Sequence, residues 1–144
     1  MPPPSDKDAM PRARVLVVES DRKLARVIAR GLREEGYLPD IANSGDEALR
    51  MARTSGYELI LIDEILPGAD GFEICRRLRF LGISSAVLIL TVWATPDNRV
   101  NVEKAGADGH LAKPFSFDDL LAGLHALMDR PAAPAAPAAI SPSA

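Results

Sequence analysis

The stretch VLVVESD, residues 15–21, decides how the rest of the chain is read. Four apolar residues run without a break into Glu19, Ser20 and Asp21. A continuous apolar run of that length suits a strand covered on both faces, as in a parallel sheet flanked by helices. The first strand is RVLVV (14–18), and two further runs of the same kind follow, ELILI (58–62) and AVLIL (86–90). LPDIA (38–42) and DGHLA (108–112) are weaker strand candidates. Pro39 places the second strand at a sheet edge, because proline has no N–H to give to a ladder.

Helical patterns fill the intervals. Leu24, Val27, Ile28 and Leu32 fall on one helical face, with Gly36 just past the last turn. Ser44 and Glu47 have the spacing of a capping box, followed by Ala48, Leu49 and Ala52 on an inward face. Phe72, Cys75 and Leu78 mark a third helix. Thr95-Pro96 supplies an N-cap and a first-turn proline for a fourth. Ser116 with Asp119 caps a fifth, whose inner face is Leu120, Leu121, Leu124 and Met128. A strand–helix unit repeated five times predicts an α/β fold, with a doubly wound five-stranded parallel sheet of order 2-1-3-4-5 and five helices, a flavodoxin-like arrangement.

Composition narrows the function. The chain has 144 residues, of which 47% are hydrophobic, enough for one domain with a core. Its formal charge of −3 argues against direct nucleic-acid binding. No apolar run reaches the length of a membrane span, and MPPPSDKDAMPRAR lacks a signal-peptide core. A single cysteine is consistent with a reducing, cytoplasmic setting. Residues 1–12 read as a flexible arm, 13–130 as the domain, and PAAPAAPAAISPSA (131–144) as a flexible Pro/Ala-rich tail or linker. The chain is expected to be either a single-domain protein or the front part of a longer one.

Polar residues collect where the strands end. The first strand ends in Glu19-Ser20-Asp21, the third in Asp63-Glu64, the fourth in Thr91 and the fifth in Lys113-Pro114. In an open doubly wound sheet the carboxyl ends of the strands converge on one crevice, which is where ligands bind. Two or three carboxylates, a hydroxyl and an ammonium are therefore expected at one spot.

On VVESD (17–21), LIDEILPGADGFEICRRLR (61–79), LILT (88–91) and GADGHLAKPF (106–115), the chain resembles the receiver domain of two-component response regulators. Around LPGADGFEICRRLR and Asn98-Arg99-Val100 it looks most like receivers of the winged-helix transcription-factor class. The resemblance spans roughly residues 14–129. It implies that Asp63 is a phosphoacceptor. It implies a Mg²⁺ held by the acids after the first strand, by Asp63 and by the backbone carbonyl of Ile65. Lys113 and Thr91 would contact the phosphoryl group, Pro114 would follow a cis peptide, and His110 would take the place of the ring that turns on activation. A sensor histidine kinase or phosphotransfer protein would be the partner, with a homodimer formed through the fourth and fifth helices. No enzymatic turnover is expected beyond self-phosphoryl transfer and autodephosphorylation.

The departures from the family fall on the metal site, the switch and the dimer face rather than on the core. Where the family carries two acids, this chain has Glu19 and Ser20. A unit charge about 4 Å from a cation is worth roughly 4 kcal/mol gross at an effective dielectric near 20, and even half of that weakens Mg²⁺ more than tenfold. Asp21 is a candidate substitute ligand, or simply the helix N-cap. Val92 stands where the family prefers Ala or Gly, and Gly109 and Gly123 where the winged-helix class has a cross-linking Asp and Arg; Arg99 and Asp119, another such pair, are present. These changes predict weakened metal-dependent phosphorylation, or a pseudo-receiver that works without it. A haloacid-dehalogenase phosphatase would need an Asp where Ile65 stands, and ESDRKLAR offers no Gly-rich phosphate loop for a nucleotide. Trp93 reads as a partner anchor or as a ring packed on its own helix, Cys75 as core, Arg76-Arg77 as a wet helix face, and His125 as solvated.

Overall fold

The computed structural model describes residues 13–92 and 96–129. The expected arm and tail, the Thr95 cap and Trp93 lie outside the described residues. The chain runs β1 (Arg14–Val18), α1 (Arg22–Glu34), β2 (Leu38–Ala42), α2 (Gly45–Thr54), β3 (Leu59–Asp63), a small hairpin β4 (Ile65–Leu66) and β5 (Ala69–Asp70), α3 (Gly71–Phe80), β6 (Ala86–Thr91), α4 (Pro96–Ala105), β7 (Gly109–Ala112) and α5 (Phe117–Met128). The main sheet has the order β2-β1-β3-β6-β7 and every pairing in it is parallel. That is the expected 2-1-3-4-5 order, with β2, the strand of Pro39, at one edge.

Strand pleating sorts the apolar runs into two layers. Leu16, Val18, Ile60, Ile62, Val87 and Ile89 pack with Ala48, Phe72, Ile74, Cys75, Leu78 and Val102 on the α2–α3–α4 side. Val15, Val17, Leu59, Leu61, Leu88 and Leu90 pack with Ile28, Leu32, Leu120 and Leu124 on the α1–α5 side. Both faces being dry explains why these strands read as unbroken apolar runs rather than alternating ones.

Several local expectations shift. The third strand spans 59–63 rather than 58–62, the fourth gains Thr91, and the fifth begins at Gly109 rather than Asp108. Val27 does not face inward: it is 60% exposed, and α1 packs through Ala25, Ile28, Ala29 and Leu32. Two alanines let the helix lie close to the sheet, which rotates Val27 into solvent. Ser44 caps α2 by accepting from Glu47 N, but the Glu47 carboxylate reaches back to Asn43 N at 2.7 Å, one residue beyond the usual box. At α5 the box closes as expected between Ser116 and Asp119. Gly36, at φ 92°, ends α1 in a Schellman turn, with Tyr37 N donating to Leu32 O and Gly36 N to Arg33 O. His125 is not simply solvated: its ring stacks on Tyr37 at 6.2 Å between centroids, and Nε2 is buried.

At the amino-terminal end of the sheet, Arg79 fastens α3 to the two loops that precede β6 and β7. Its guanidinium donates to Gly106 O, Ile83 O and Ser85 O, each at 2.8 Å, and to Asp108 Oδ2 at 3.0 Å. Asp108 Oδ2 also accepts from Val87 N. The planar fork of arginine meets all these acceptors at once, as a lysine could not.

Candidate functional site

The opposite, carboxyl-terminal end of the sheet carries the polar groups. The parallel register sets Val18 beside Ile62, Asp63 beside Leu90 and Thr91 beside Ala112. Glu19, Asp63, Thr91 and Lys113 thus stand at one rim as a direct result of strand pairing. Glu19, Asp63 and Thr91 are the buried polar residues among the described ones.

Three of these side chains meet. Lys113 Nζ donates to Asp63 Oδ2 at 2.8 Å and lies 3.8 Å from Glu19 Oε1. The other Asp63 oxygen, Oδ1, accepts from Ile65 N at 3.2 Å, and Glu19 Oε2 accepts from Asp21 N at 3.0 Å. Glu19 Oε1 is buried and has no hydrogen bond. Thr91 Oγ1 is buried and unpaired as well, one residue beyond the Asp63 register partner, while Thr91 O accepts from Lys113 N at 2.8 Å. Two orphaned buried oxygens beside a salt-bridged acid are costly to keep and suit a site that receives a polar ligand.

The remaining expected residues are placed as follows. Asp21 is exposed and caps α1, its Oδ1 accepting from Lys23 N and Leu24 N at 3.0 and 3.1 Å. Ser20, half-buried, lies between Glu19 and Asp21. Ile65 is on the β4–β5 hairpin with its side chain exposed. His110 is half-buried on β7 opposite Ile89. The Lys113–Pro114 peptide is cis. Arg99 is exposed on α4, and Asp119 is exposed at the start of α5, where its carboxylate accepts from Ser116 N. Arg76 and Arg77 are exposed, with Arg77 paired to Glu73 one turn away. Cys75 is fully buried, and burial pushes its thiol up to about 11.

Two further residues shape the site: Gly71, not singled out beforehand, and Glu64, noted only as the polar residue after Asp63. Gly71 N donates to Glu64 O at 2.8 Å, and a Cβ at Gly71 would overlap the carbonyl oxygen of Asp63. The glycine lets α3 start directly against the end of β3; ADG in LPGADG was the available signal. Glu64 sends its carboxylate to Val92 N at 2.9 Å, across 28 positions, for which the sequence held no signal.

Glu19 has a carboxyl pushed up to about 7, first by burial, then by the Asp63 carboxyl beside it, against the lowering effects of Asp21 N and Lys113. The pH sign follows from linkage. In the unfolded chain the group titrates near its ordinary 4.5, in the folded chain near 7. Folding therefore favours the protonated form, and the stability it contributes is complete below pH 4.5 and lost as pH rises to 7. Comparing urea midpoints of the wild type and Glu19→Gln at pH 5 and 7.5 should show the variant gaining relative stability at the higher pH, by at most about 3 kcal/mol. An unchanged difference between the two pH values contradicts the shift.

The receiver domain model of response regulators matches residues 15–125. TcrA of Mycobacterium tuberculosis, a transcriptional regulatory protein, is 40% identical over 86% of this chain and 49% of its own length. CusR of Escherichia coli, also a transcriptional regulatory protein, is 38% identical over 83% of this chain and 53% of its own. The chain thus spans about half the length of the curated relatives it matches. Among solved structures, the receiver domain of the Francisella response regulator 1452 superposes with TM-score 0.76 at 34% identity, covering 81% of this chain and 96% of that one. TrrA of Thermotoga maritima, solved in complex with Mg²⁺-BeF, gives TM-score 0.72 at 29% identity, covering 81% and 99%.

Proposed function

The chain belongs to the response regulator receiver family, and from that premise we propose that it accepts a phosphoryl group on Asp63 and signals through partner or dimer contacts. One observation carries the reading: Lys113 Nζ stands 2.8 Å from Asp63 Oδ2 although 50 positions separate the two residues. An Asp63 oxygen attacks phosphorus, forming an O–P bond. The P–N bond of a phosphohistidine donor breaks, and the leaving nitrogen keeps the electron pair and takes up a proton. Lys113 then offsets charge on the phosphoryl oxygens, and Thr91 Oγ1, unpaired before transfer, donates to one of them. The donor is a sensor histidine kinase or a phosphotransfer protein, and the setting is the cytoplasm; no helix among the described residues is long and apolar enough to cross a membrane.

Mg²⁺ fits the donors in kind but sparsely. Glu19, Asp63 and the Ile65 carbonyl are hard oxygens, and Glu19 Oε1, which accepts no hydrogen bond and shares only a 3.8 Å ion pair with Lys113, is available to a cation. The described residues contain no group of three or more His, Cys, Asp or Glu able to hold a metal. Ser20 brings no charge, and recruiting Asp21 would uncap α1. When bound, the ion would neutralise phosphoryl charge. Its binding is weak here because two carboxylates do the work of three.

Incubation with Mg²⁺ and phosphoramidate, followed by intact mass, tests the proposal. One phosphoryl group should be gained, slowly and incompletely at millimolar Mg²⁺. Ser20→Asp should bind Mg²⁺ more than tenfold tighter and speed the gain. Rapid, near-complete labelling of the wild type refutes the weakened-metal reading. No labelling at any Mg²⁺ concentration favours a second reading, a phosphorylation-independent interaction module, which the commitment of Asp21 to its cap supports. The same domain would serve as the regulatory part of a longer DNA-binding regulator, in keeping with the length of its relatives. Arg99 on α4 and Asp119 on α5 are the proposed dimer contacts.

A further inference from the structure

β3 and β6 pair in parallel through Asp63 and Leu90, and Glu64 N still donates to Leu90 O at 2.9 Å. The chain then leaves the sheet, because Ile65 turns into the β4–β5 hairpin. β6 continues to Thr91, so the next amide, Val92 N–H, has no ladder partner from β3. The Glu64 carboxylate supplies it, with Oε1 accepting at 2.9 Å. A side chain thereby extends the ladder by one rung and holds the corner at which Thr91 sits. Glu64 and Val92 are both half-buried, so this charge-assisted bond is partly shielded from competing water.

We propose that Glu64 is a positioning residue of the receiver: its carboxylate fixes the Thr91–Val92 corner in the unphosphorylated arrangement, and phosphorylation of the neighbouring Asp63 loosens it. The inference rests on the reading of Asp63 as phosphoacceptor. A phosphoryl group brings a charge of about −1.5 to −2 next to the Glu64 backbone. That charge opposes a second anion at the same corner and favours turning Thr91 Oγ1, now unpaired, toward the phosphoryl oxygens. Coupling between the two arrangements is reciprocal, so weakening the Glu64–Val92 bond favours by the same factor the arrangement that accommodates the phosphoryl group. A hydrogen bond to a charged group accounts for a shift of about tenfold.

The experiment uses the full chain in three forms: wild type, Glu64→Gln, which keeps an acceptor oxygen, and Glu64→Leu, which does not. Thermal melting confirms that each folds. Amide exchange at Val92, read by NMR without any phosphodonor, should be about tenfold faster in Glu64→Leu and close to wild type in Glu64→Gln. With Mg²⁺ and phosphoramidate, the steady-state ratio of phosphorylated to unphosphorylated protein, read by intact mass, should be about tenfold higher in Glu64→Leu. Unchanged Val92 exchange in Glu64→Leu overturns the positioning role. Faster exchange with an unchanged phosphorylated ratio overturns the coupling. If no form gains mass, the phosphoacceptor reading of Asp63 fails, and the coupling with it, while Val92 exchange alone still decides the positioning role. If Glu64→Leu does not fold, faster Val92 exchange in Glu64→Ala than in Glu64→Gln supports the role, and equal exchange overturns it.

Discussion

Asp63→Asn should abolish phosphoryl gain altogether, with no mass shift under conditions that label the wild type. The amide nitrogen is not a nucleophile, and the remaining amide oxygen carries too little charge to attack phosphorus. The fold should survive. Asp63 ends β3, and its backbone pairing with Leu90 needs only main-chain atoms. Asn keeps an oxygen that can accept from Lys113 or from Ile65 N, as the carboxylate oxygens do. One carboxylate fewer also leaves Glu19 as the sole acid beside Lys113, so Mg²⁺ affinity should fall along with labelling. Continued labelling of Asp63→Asn would place the acceptor elsewhere and remove the basis for the role assigned to Lys113.

The second large effect is structural. Gly71→Ala should destabilise the protein by roughly 1–3 kcal/mol, read as a lower urea midpoint. A Cβ there overlaps the Asp63 carbonyl oxygen and lies 3.0 Å from both the Asp63 carbonyl carbon and Ile62 Cγ2. The first obstacle is backbone at the end of the central strand, which cannot swing aside as a side chain can. Relief requires α3 to withdraw or β3 to shift, and a shift of β3 displaces Asp63 from Lys113. The labelling rate should therefore fall beyond what the stability loss accounts for. Gly56→Ala is the matched control, since a Cβ at Gly56 meets nothing within 4 Å. Equal urea midpoints for the two variants would show that the approach of α3 to β3 is not tight.

Three of the five strands were legible because each is an unbroken apolar run, as a strand buried on both faces produces, and their alternation with helices then implied a parallel sheet. Glu19, Asp63 and Thr91 were legible because each stands immediately after such a run, whereas Lys113 follows the weaker DGHLA strand and stood out only with the residues that carry the receiver resemblance. Helix faces were harder. Val27 scored as a core position by periodicity, but the contact of α1 with the sheet is made by Ala25 and Ala29, whose small size carries no hydropathy signal yet sets how closely the helix lies. His125 looked polar in isolation, and only the turn after α1 brings Tyr37 to stack on it. The bond from Glu64 to Val92 depends on where the chain leaves the ladder, a property of tertiary geometry that no local pattern encodes. Asp21 was readable as cap or ligand, and its two bonds to Lys23 N and Leu24 N place it as the cap in this structure.

The Arg79 cluster also bears on how a change at the rim would travel. Gly106 directly follows α4 and is gripped by Arg79, so the far end of that helix is moored to α3 and to the start of β6. A ten-residue helix is about 15 Å long. Moored at one end and pulled at the other, it responds as a rigid rod on a pivot: a 2 Å pull at its leading end would tilt it by about 8°. Mooring turns a local displacement into a change of angle across a whole face, which a docked partner would sense more readily than the displacement itself.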